Sequence, residues 1–324
     1  MNPSKKTMRD AFIEQIYQRM TKDESIFFLS ADFGSSVLDK VRADFSDRFI
    51  NVGIAEQNLI NISTGLALEG YIVYAYAIAP FLIMRAFEQN RNNLSLLAQT
   101  KELNINLVGV GSGISYDVSG PSHHCLEDIA LMRVLPNFIV ASPSDWVATK
   151  ALAEYSFKVK KPKYFRLDAK PLPQIYDTIT FEDLERGFYE LKKGENVCLV
   201  STGYMTHKAR EVVEELSNQG INCGLLDMLL IKPLNEDLIF ETLKNYKYVI
   251  TLEEAFIKKG GLDSAILNIL NDRQANVFFK GLGFQDRYVF ELGGRDHLYK
   301  INQIDTISIL NRIKEACRAM VGAK

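Results

Sequence analysis

The sequence predicts an α/β protein built from two doubly wound domains. Segments such as residues 26–29 (IFFL) and 197–201 (VCLVS) are almost entirely apolar, which is typical of parallel strands that are covered on both faces. Stretches with helical apolar spacing alternate with these segments along the chain. A chain of 324 residues is also longer than one typical domain, so we expect two.

Composition and charge exclude several classes of partner. Hydrophobic residues make up 47% of the chain and charged residues 24%, as in ordinary globular proteins. The 38 basic and 40 acidic side chains leave a net charge of −2, so we expect neither nucleic acid nor a membrane surface as a partner. No apolar run approaches the roughly 20 residues that span a bilayer. The cysteines lack metal-ligand spacing, which predicts buried thiols, no bound metal and a cytoplasmic location. They are Cys125, Cys198, Cys223 and Cys317.

The first domain is predicted over residues 1–175. It begins with an amphipathic helix at 7–20 and ends with a strand at 163–166. A loop rich in glycine and serine is predicted from 111 to 124. Further strands are predicted at 26–29, 49–52, 71–76, 105–110 and 138–141, and further helices at 56–70, at about 81–98, before residue 138 and near residue 145.

The second domain is predicted over residues 195–324, after a linker at 176–194. The linker follows Pro171 and Pro173 and consists of short polar pieces, a composition that is typical of domain boundaries. Strands of the second domain are predicted at 197–201, 223–226, 248–252 and 277–279, and helices at 206–218, after residue 233, after residue 261 and at about 303–320.

The stretch 51–58 (NVGIAEQN) carries the most specific signal in the chain. Its strand stops at Gly53, and helical spacing follows, so Glu56 lies in the first turn of a helix. A carboxylate there is favourable beside unpaired backbone N–H groups, and a capping role would explain Glu56 alone. The complete octapeptide, however, resembles the motif of the pyrimidine-binding domain of thiamine diphosphate enzymes of the transketolase class.

The resemblance implies a cofactor site around Glu56. In that family the glutamate binds the aminopyrimidine ring and promotes the tautomer that takes up the thiazolium proton, so Glu56 is expected to be catalytic. An aromatic ring stacks on the pyrimidine a little over twenty residues later, and Phe81 matches it. Ile78 and Met84, one helical turn to either side, are expected as apolar walls, and a register shifted by one turn is the alternative.

Two further motifs match positions near the family's reacting groups. Asp32 ends a strand, as an aspartate near the cofactor does in the family, although a simple turn with Gly34 is the competing interpretation. The run 120–125 (GPSHHC) is similar to the family's Gly-Pro-Thr-His-Gln segment, whose histidine faces the substrate. His123 is therefore expected to contact the substrate or to transfer a proton, with His124 in support.

Three residues match the family's phosphate-binding positions. They are Arg9 in the first helix, Ser36 after the Asp32 turn and Arg166 on a later strand. Guanidinium groups suit phosphate or carboxylate, while surface salt bridges are the competing explanation for either arginine.

The sequence departs from the family at two substrate positions. Gly111 replaces a histidine that contacts phosphate, and Ser119 replaces an acid that meets the donor's hydroxyl. Asp117 is the nearest acid that could take over the second role. Pentose phosphate specificity is therefore not implied, although ketol transfer is.

A diphosphate-binding segment is missing from the sequence. Family members hold Mg²⁺ and the diphosphate through Gly-Asp-Gly followed by an asparagine, and this chain contains no Gly-Asp-Gly. The resemblance thus implies a partner subunit that carries the diphosphate-binding domain and the magnesium ligands, in an assembly of two copies of each chain. The expected activity is transfer of a two-carbon ketol unit between sugars or sugar phosphates with thiamine diphosphate.

Other functions remain compatible with the sequence. The β subunit of a 2-oxo-acid dehydrogenase shares the architecture and the glutamate, and 1-deoxyxylulose-phosphate synthases are a further enzyme class of this type. A non-catalytic scaffold subunit is the alternative from a different class. Activity of a complex with Glu56 replaced would distinguish the scaffold from the enzymes.

Overall fold

The computed structural model describes residues 6–321, with side-chain surroundings to residue 315. These residues form two sheets, one of seven strands and one of five, and each sheet is mostly parallel. The predicted fold class is therefore confirmed. The strands are β1 (Ile26–Ser30), β2 (Phe49–Asn51), β3 (Ile72–Ile78), β4 (Ile105–Val110), β5 (Ile139–Ala141), β6 (Lys163–Leu167), β7 (Phe188–Lys192), β8 (Val197–Ser201), β9 (Cys223–Met228), β10 (Leu230–Lys232), β11 (Tyr248–Phe256) and β12 (Phe278–Phe284).

Helices cover the faces of the two sheets. They are α1 (Met8–Met20), α2 (Ser36–Asp44), α3 (Glu56–Leu68), α4 (Phe87–Gln89), α5 (Asp128–Val134), α6 (Trp146–Lys158), α7 (Phe181–Arg186), α8 (Met205–Asn218), α9 (Glu236–Leu243), α10 (Leu262–Asp272), α11 (Arg295–Ile301) and α12 (Thr306–Val321). None of those described is both long and apolar enough to cross a bilayer.

The first sheet has the strand order β10-β5-β6-β4-β3-β1-β2. Successive residues of its central strands point to opposite faces and enter two separate apolar clusters, so both faces are buried. On β1, for example, Phe28 belongs to one cluster and Leu29 to the other. This double coverage explains why the strands are apolar throughout.

The edge strand of the first sheet comes from the second half of the chain. β10 pairs antiparallel with β5, while the strands on both sides of β10 in sequence belong to the other sheet. The second sheet has the order β12-β11-β8-β9-β7, with β7 antiparallel to β9. The two domains are therefore joined through a shared sheet as well as through packed side chains.

The interval predicted as a linker, 176–194, contains the helix α7 and the strand β7. A capping box between Thr180 and Asp183 begins the helix, and Gly187 in a left-handed conformation ends it. β7 then adds to the second sheet, so that sheet begins before residue 195.

Two predicted regions differ locally from the structure. The segment at about 81–98, predicted as one α-helix, is an irregular helix with wide π-helical turns at Phe81–Arg85 and Asn90–Leu96. The side chain of Asn90 donates a hydrogen bond to the Leu82 carbonyl (3.1 Å), and such insertions widen a helix. The short helix α2 was not predicted, although Ser35 caps it by accepting from Leu38 N (3.1 Å).

Candidate functional site

The carboxyl ends of the parallel strands form one edge of the first sheet, and the predicted site residues follow these ends. In the strand order given above, β1 and β3 are neighbours. The chain runs from β1 to β2, on the side away from β3, and from β3 to β4, on the side away from β1. A crevice opens between two such strands, and ligands of open α/β sheets usually bind there. Asp32 follows β1 and Phe81 follows β3, so these two residues flank the crevice.

Glu56 occupies the first turn of α3. Gly53, with φ +72°, turns the chain after β2, and no side chain caps the helix. The carboxylate therefore lies beside unpaired N–H groups, and only 2% of Glu56 is exposed. Its Oε2 accepts a hydrogen bond from Nη1 of Arg85 (2.5 Å). Arg85 thus pairs with a buried carboxylate at the edge of the crevice.

Phe81 lies where the wide turn after β3 begins. Its half-buried ring stands under the Arg85 guanidinium (4.8 Å to the ring centroid) and meets the His123 ring edge-on (centroids 5.3 Å apart). One arginine thus links Glu56 to Phe81. Ile78 is half-buried at the end of β3, and Met84 is exposed. The structure therefore brings Glu56, Phe81 and His123 together, although they lie far apart in sequence.

His123 and His124 have different surroundings. His123 is half-buried, and its Nδ1 lies 3.1 Å from the Ser122 hydroxyl. His124 is 3% exposed, and burial lowers its pKa, so it remains neutral at pH 7. His123 contacts the Phe81 ring, and the roles of the two histidines stay predictions.

Asp32 and Ser36 lie on the exposed side of the crevice. The backbone at Asp32 has φ +50°, and Asn51 braces it by accepting from Asp32 N (3.1 Å) and donating to its carboxylate (3.0 Å). This arrangement fixes the turn between β1 and α2. Ser36 is the first residue of α2 and is exposed.

Arg166 is buried in the part of the chain that the structure describes, and its role in substrate binding stays a prediction. It lies on the interior strand β6, and its side chain is 1% exposed. Its Nε donates to Asp128 (2.8 Å), and Nη2 donates to the backbone carbonyls of Cys125 and Glu254 (3.3 and 2.8 Å). These bonds connect Arg166 on β6 to Glu254 on β11, so the residue helps to join the two domains.

Asp117, the acid nearest to Ser119, forms hydrogen bonds within the protein. It is buried, and its carboxylate accepts from Lys170 and from the backbone N–H of Arg295 (2.7 Å for the latter). The loop that bears it is thereby tied to the second domain. The Asp117 carboxylate is engaged in structure and is not directed at a substrate.

Four residues near the site were not predicted from the sequence. Arg85 lies in a predicted helix without a functional motif, and Arg295 does not belong to any motif. Tyr76 and Tyr116 also lacked a signal, although the glycine at position 111 was noted as a departure. Tyr116 packs directly on Gly111, so an unexpected glycine was the available sign that a large side chain lies beside it.

The fold and site define a class: an α/β protein with a carboxylate, an aromatic ring and a histidine at the switch point of a parallel sheet. Comparison with known families is in agreement. The model described as "Transketolase, pyrimidine binding domain" matches residues 4–174, and "Transketolase, C-terminal domain" matches residues 188–308. The chain belongs to the transketolase family, and the prediction of a transketolase-type subunit is confirmed.

Relatives and a solved structure of similar length match almost the whole chain. A protein of Methanocaldococcus jannaschii named for the C-terminal section of transketolase is 34% identical over 96% of each chain. A subunit of the apulose-4-phosphate transketolase of Actinobacillus succinogenes is 32% identical, with 83% of this chain and 84% of that protein covered. A solved structure described as "Split gene transketolase, inactive beta4 tetramer" matches with a TM-score of 0.84 and 31% identity. The match covers 96% of this chain and 98% of that one.

Proposed function

We propose that this chain is the catalytic half of a split transketolase, which transfers a two-carbon ketol unit between sugars or sugar phosphates together with a diphosphate-binding partner subunit. The observation that carries the proposal is the Glu56–Arg85–Phe81–His123 group at the crevice. One relative is named as one subunit of a transketolase that acts on a sugar phosphate, which supports the proposal.

The residues of the crevice fit the aminopyrimidine of thiamine diphosphate. That ring needs an acceptor for a hydrogen bond at one nitrogen and an apolar surface for its face. Glu56 supplies a buried carboxylate, and Phe81 supplies a half-buried ring joined to it through Arg85. Asp32, Ile78 and Met84 border the same crevice. When bound, the cofactor supplies the electron sink for breaking a carbon–carbon bond.

In this proposal the protein's own residues orient the bound groups and transfer protons to or from them. The Glu56 carboxylate would hold the pyrimidine nitrogen by a hydrogen bond and would so favour one protonation state of that ring. His123 lies beside Phe81, where a substrate above the ring would pass, and its exposed edge can donate a proton to or accept one from a sugar hydroxyl. Phe81 and His123 would exclude water from one side of the reacting bond.

We place the diphosphate and its Mg²⁺ on the partner subunit. Among the described residues no group of three histidine, cysteine or acidic side chains is arranged to hold a metal ion. We expect an assembly of two copies of each chain, because the active sites of this family form between two protomers. The description of a related tetramer of one subunit type as inactive supports the need for a second chain.

Reconstitution with the diphosphate-binding subunit tests the proposal. The complex, supplied with thiamine diphosphate and Mg²⁺, should transfer a ketol unit between sugars, detected by product mass. Glu56→Gln should lower kcat by about a hundredfold or more, because the cofactor then lacks its proton partner. Glu69→Gln, an exposed change just after the same helix, serves as the matched control. Full activity of the Glu56→Gln complex would assign the chain a scaffold role instead.

A further inference from the structure

The loop that carries His123 is attached to both domains. This histidine loop, residues 111–126, follows β4. In the first domain, the carbonyl of Leu167 at the end of β6 accepts hydrogen bonds from the first two backbone N–H groups of the loop (2.9 and 3.1 Å). The loop then closes on itself, because Cys125 N donates to the Gly113 carbonyl (2.7 Å). His123 lies inside this closure, so its ring moves with the loop backbone.

Two further contacts, both with the second domain, hold the start and the end of the histidine loop. At the start, the Glu254 carboxylate on β11 accepts from Ile114 N (3.4 Å). At the end, the backbone N–H of Phe256 on the same strand donates to the Leu126 carbonyl (3.2 Å). The two contacts lie on either side of His123 in sequence, so strand β11 takes part in fixing the position of that histidine.

The Glu254 side chain is a fixed support for the loop. It is 1% exposed, and its carboxylate accepts from Nε of Arg295 (3.0 Å) and from the Tyr299 hydroxyl. Hydrogen bonds to a charged acceptor are strong and hold it in one orientation. Gly113 lies directly against this side chain, since a Cβ built at residue 113 would stand 2.6 Å from Cβ of Glu254. Only a glycine lets the loop backbone approach so closely.

We infer that Glu254 is a positioning residue for His123, so that the second domain contributes to the reaction by fixing the histidine loop. The inference rests on the proposed function, in which His123 meets the substrate. The edge-on contact between His123 and Phe81 (centroids 5.3 Å apart) depends on where the loop stands. A displacement of about 1 Å in a reacting group can lower a rate by about a hundredfold.

Gly113→Ala in the complex with the partner subunit tests the inference. The added Cβ cannot share its space with Glu254, so the loop must move, and kcat for ketol transfer should fall at least about tenfold. The dissociation constant of thiamine diphosphate, measured by calorimetry, should not change, because Glu56 and Phe81 are intact. Gly220→Ala is the matched control, since that glycine also has a positive φ (+77°) but no described atom lies within 4 Å of the added Cβ.

A double-mutant cycle with His123→Ala shows whether the effect passes through the histidine. In that background the loop carries no imidazole to misplace, so Gly113→Ala should change kcat by less than about twofold. Tyr299→Phe is a milder variant, because it removes one donor to Glu254 and keeps the ring. It should lower kcat only where His123 is present. Losses that simply add in the double variants would overturn the inference.

Hydrogen exchange reports on the loop without turnover. Amides of residues 111–126 should exchange faster in the Gly113→Ala complex than in the wild-type or Gly220→Ala complex, because the contacts that protect them are weakened. Unchanged exchange, an unchanged kcat, or loss of cofactor binding together with kcat would contradict a positioning role. A wild-type complex that transfers no ketol unit would count against the proposed function alone, since exchange still decides whether Glu254 holds the loop.

Discussion

At the scale of single residues, Arg85 organises the candidate site. Its guanidinium donates to the buried Glu56 carboxylate and lies over the Phe81 ring, so one side chain fixes both groups that would hold a pyrimidine. Arg85 itself is 44% exposed, which leaves it able to move when a ligand enters. Arg85, which no sequence motif indicated, thus positions the residues expected to bind the cofactor before the cofactor is present.

Replacing Phe81 tests which ring faces the cofactor. Phe81→Ala in the reconstituted complex should weaken binding of thiamine diphosphate by about 1–3 kcal/mol, because an aromatic face is lost. The dissociation constant is measured by calorimetry, with Phe290→Ala, an exposed ring in the second domain, as control. An unchanged constant would favour the register shifted by one turn, with Met84 in place of Phe81.

The contrast between Arg9 and Arg166 shows what the sequence can predict about single residues. Both arginines matched a family position, and both chemistries suited phosphate. Arg9 is half-buried on α1 and pairs with its neighbour Asp10 (2.9 Å), whereas Arg166 pairs with Asp128, which is 38 positions away in sequence. Residue type and spacing cannot reveal such a distant partner, because the pairing depends on how strands and helices pack. The motif around Glu56 is local, and its placement was therefore predictable.

At the scale of elements, the first turn of α8 docks on the first domain. Thr206 donates to Asp227, which also accepts from Ser144, and Nε2 of His207 lies 2.7 Å from the Ser144 carbonyl. Burial lowers the pKa of His207 to about 4. The turn therefore accommodates a neutral imidazole between the domains.

The His207 environment predicts a pH-dependent stability. Because the folded pKa is below the ordinary value of 6.5, the unfolded chain binds more protons in between, and stability falls as pH drops from about 6.5 toward 4. Between pH 7.5 and 5 the contribution of His207 to this loss should be about 2 kcal/mol. In urea titrations the wild-type protein should therefore lose about 2 kcal/mol more over this range than His207→Gln, which keeps a donor, whereas the exposed His297→Gln should behave like the wild type.

Regular elements were predictable to different degrees. Strands β1, β3 and β4 were found because burial on both faces makes them almost entirely apolar. The segment at about 81–98 was predicted as an α-helix because its apolar spacing is helical, and nothing in that spacing reveals the hydrogen bond from Asn90 that widens it. β10 is too short to show a pattern, and its place in the first sheet depends entirely on long-range packing.

At the scale of the molecule, a buried charge network joins the two domains. Arg295 of the second domain donates to Asp168 of the first (2.7 Å) and to Glu254 (3.0 Å from Nε), and its guanidinium lies 3.5 Å from the centre of the Tyr204 ring. Asp117 accepts from the backbone of the same arginine. Because Asp117 and His123 share one loop, the network also holds the loop that forms the crevice wall.

Removing the arginine tests the network. Arg295→Ala leaves the Asp168 and Glu254 carboxylates buried without their cation, and the free energy of unfolding should fall by about 3–5 kcal/mol. Arg287→Ala, which breaks an exposed pair with Glu291 (2.9 Å) in the preceding loop, should cost less than about 1 kcal/mol. Equal effects of the two changes in urea titrations would show that the buried network contributes little.

The second half of the chain supplies β10, which completes the first sheet. This arrangement limits how the two halves can be separated or exchanged between genes. A single cut between the halves would strip the pyrimidine domain of its border strand and leave β5 with unsatisfied backbone amides and carbonyls, ready to recruit a foreign chain. The two halves are therefore interlaced and cannot be exchanged as independent modules. Any rearrangement that shuffles them must move residues 230–232 with the half they close.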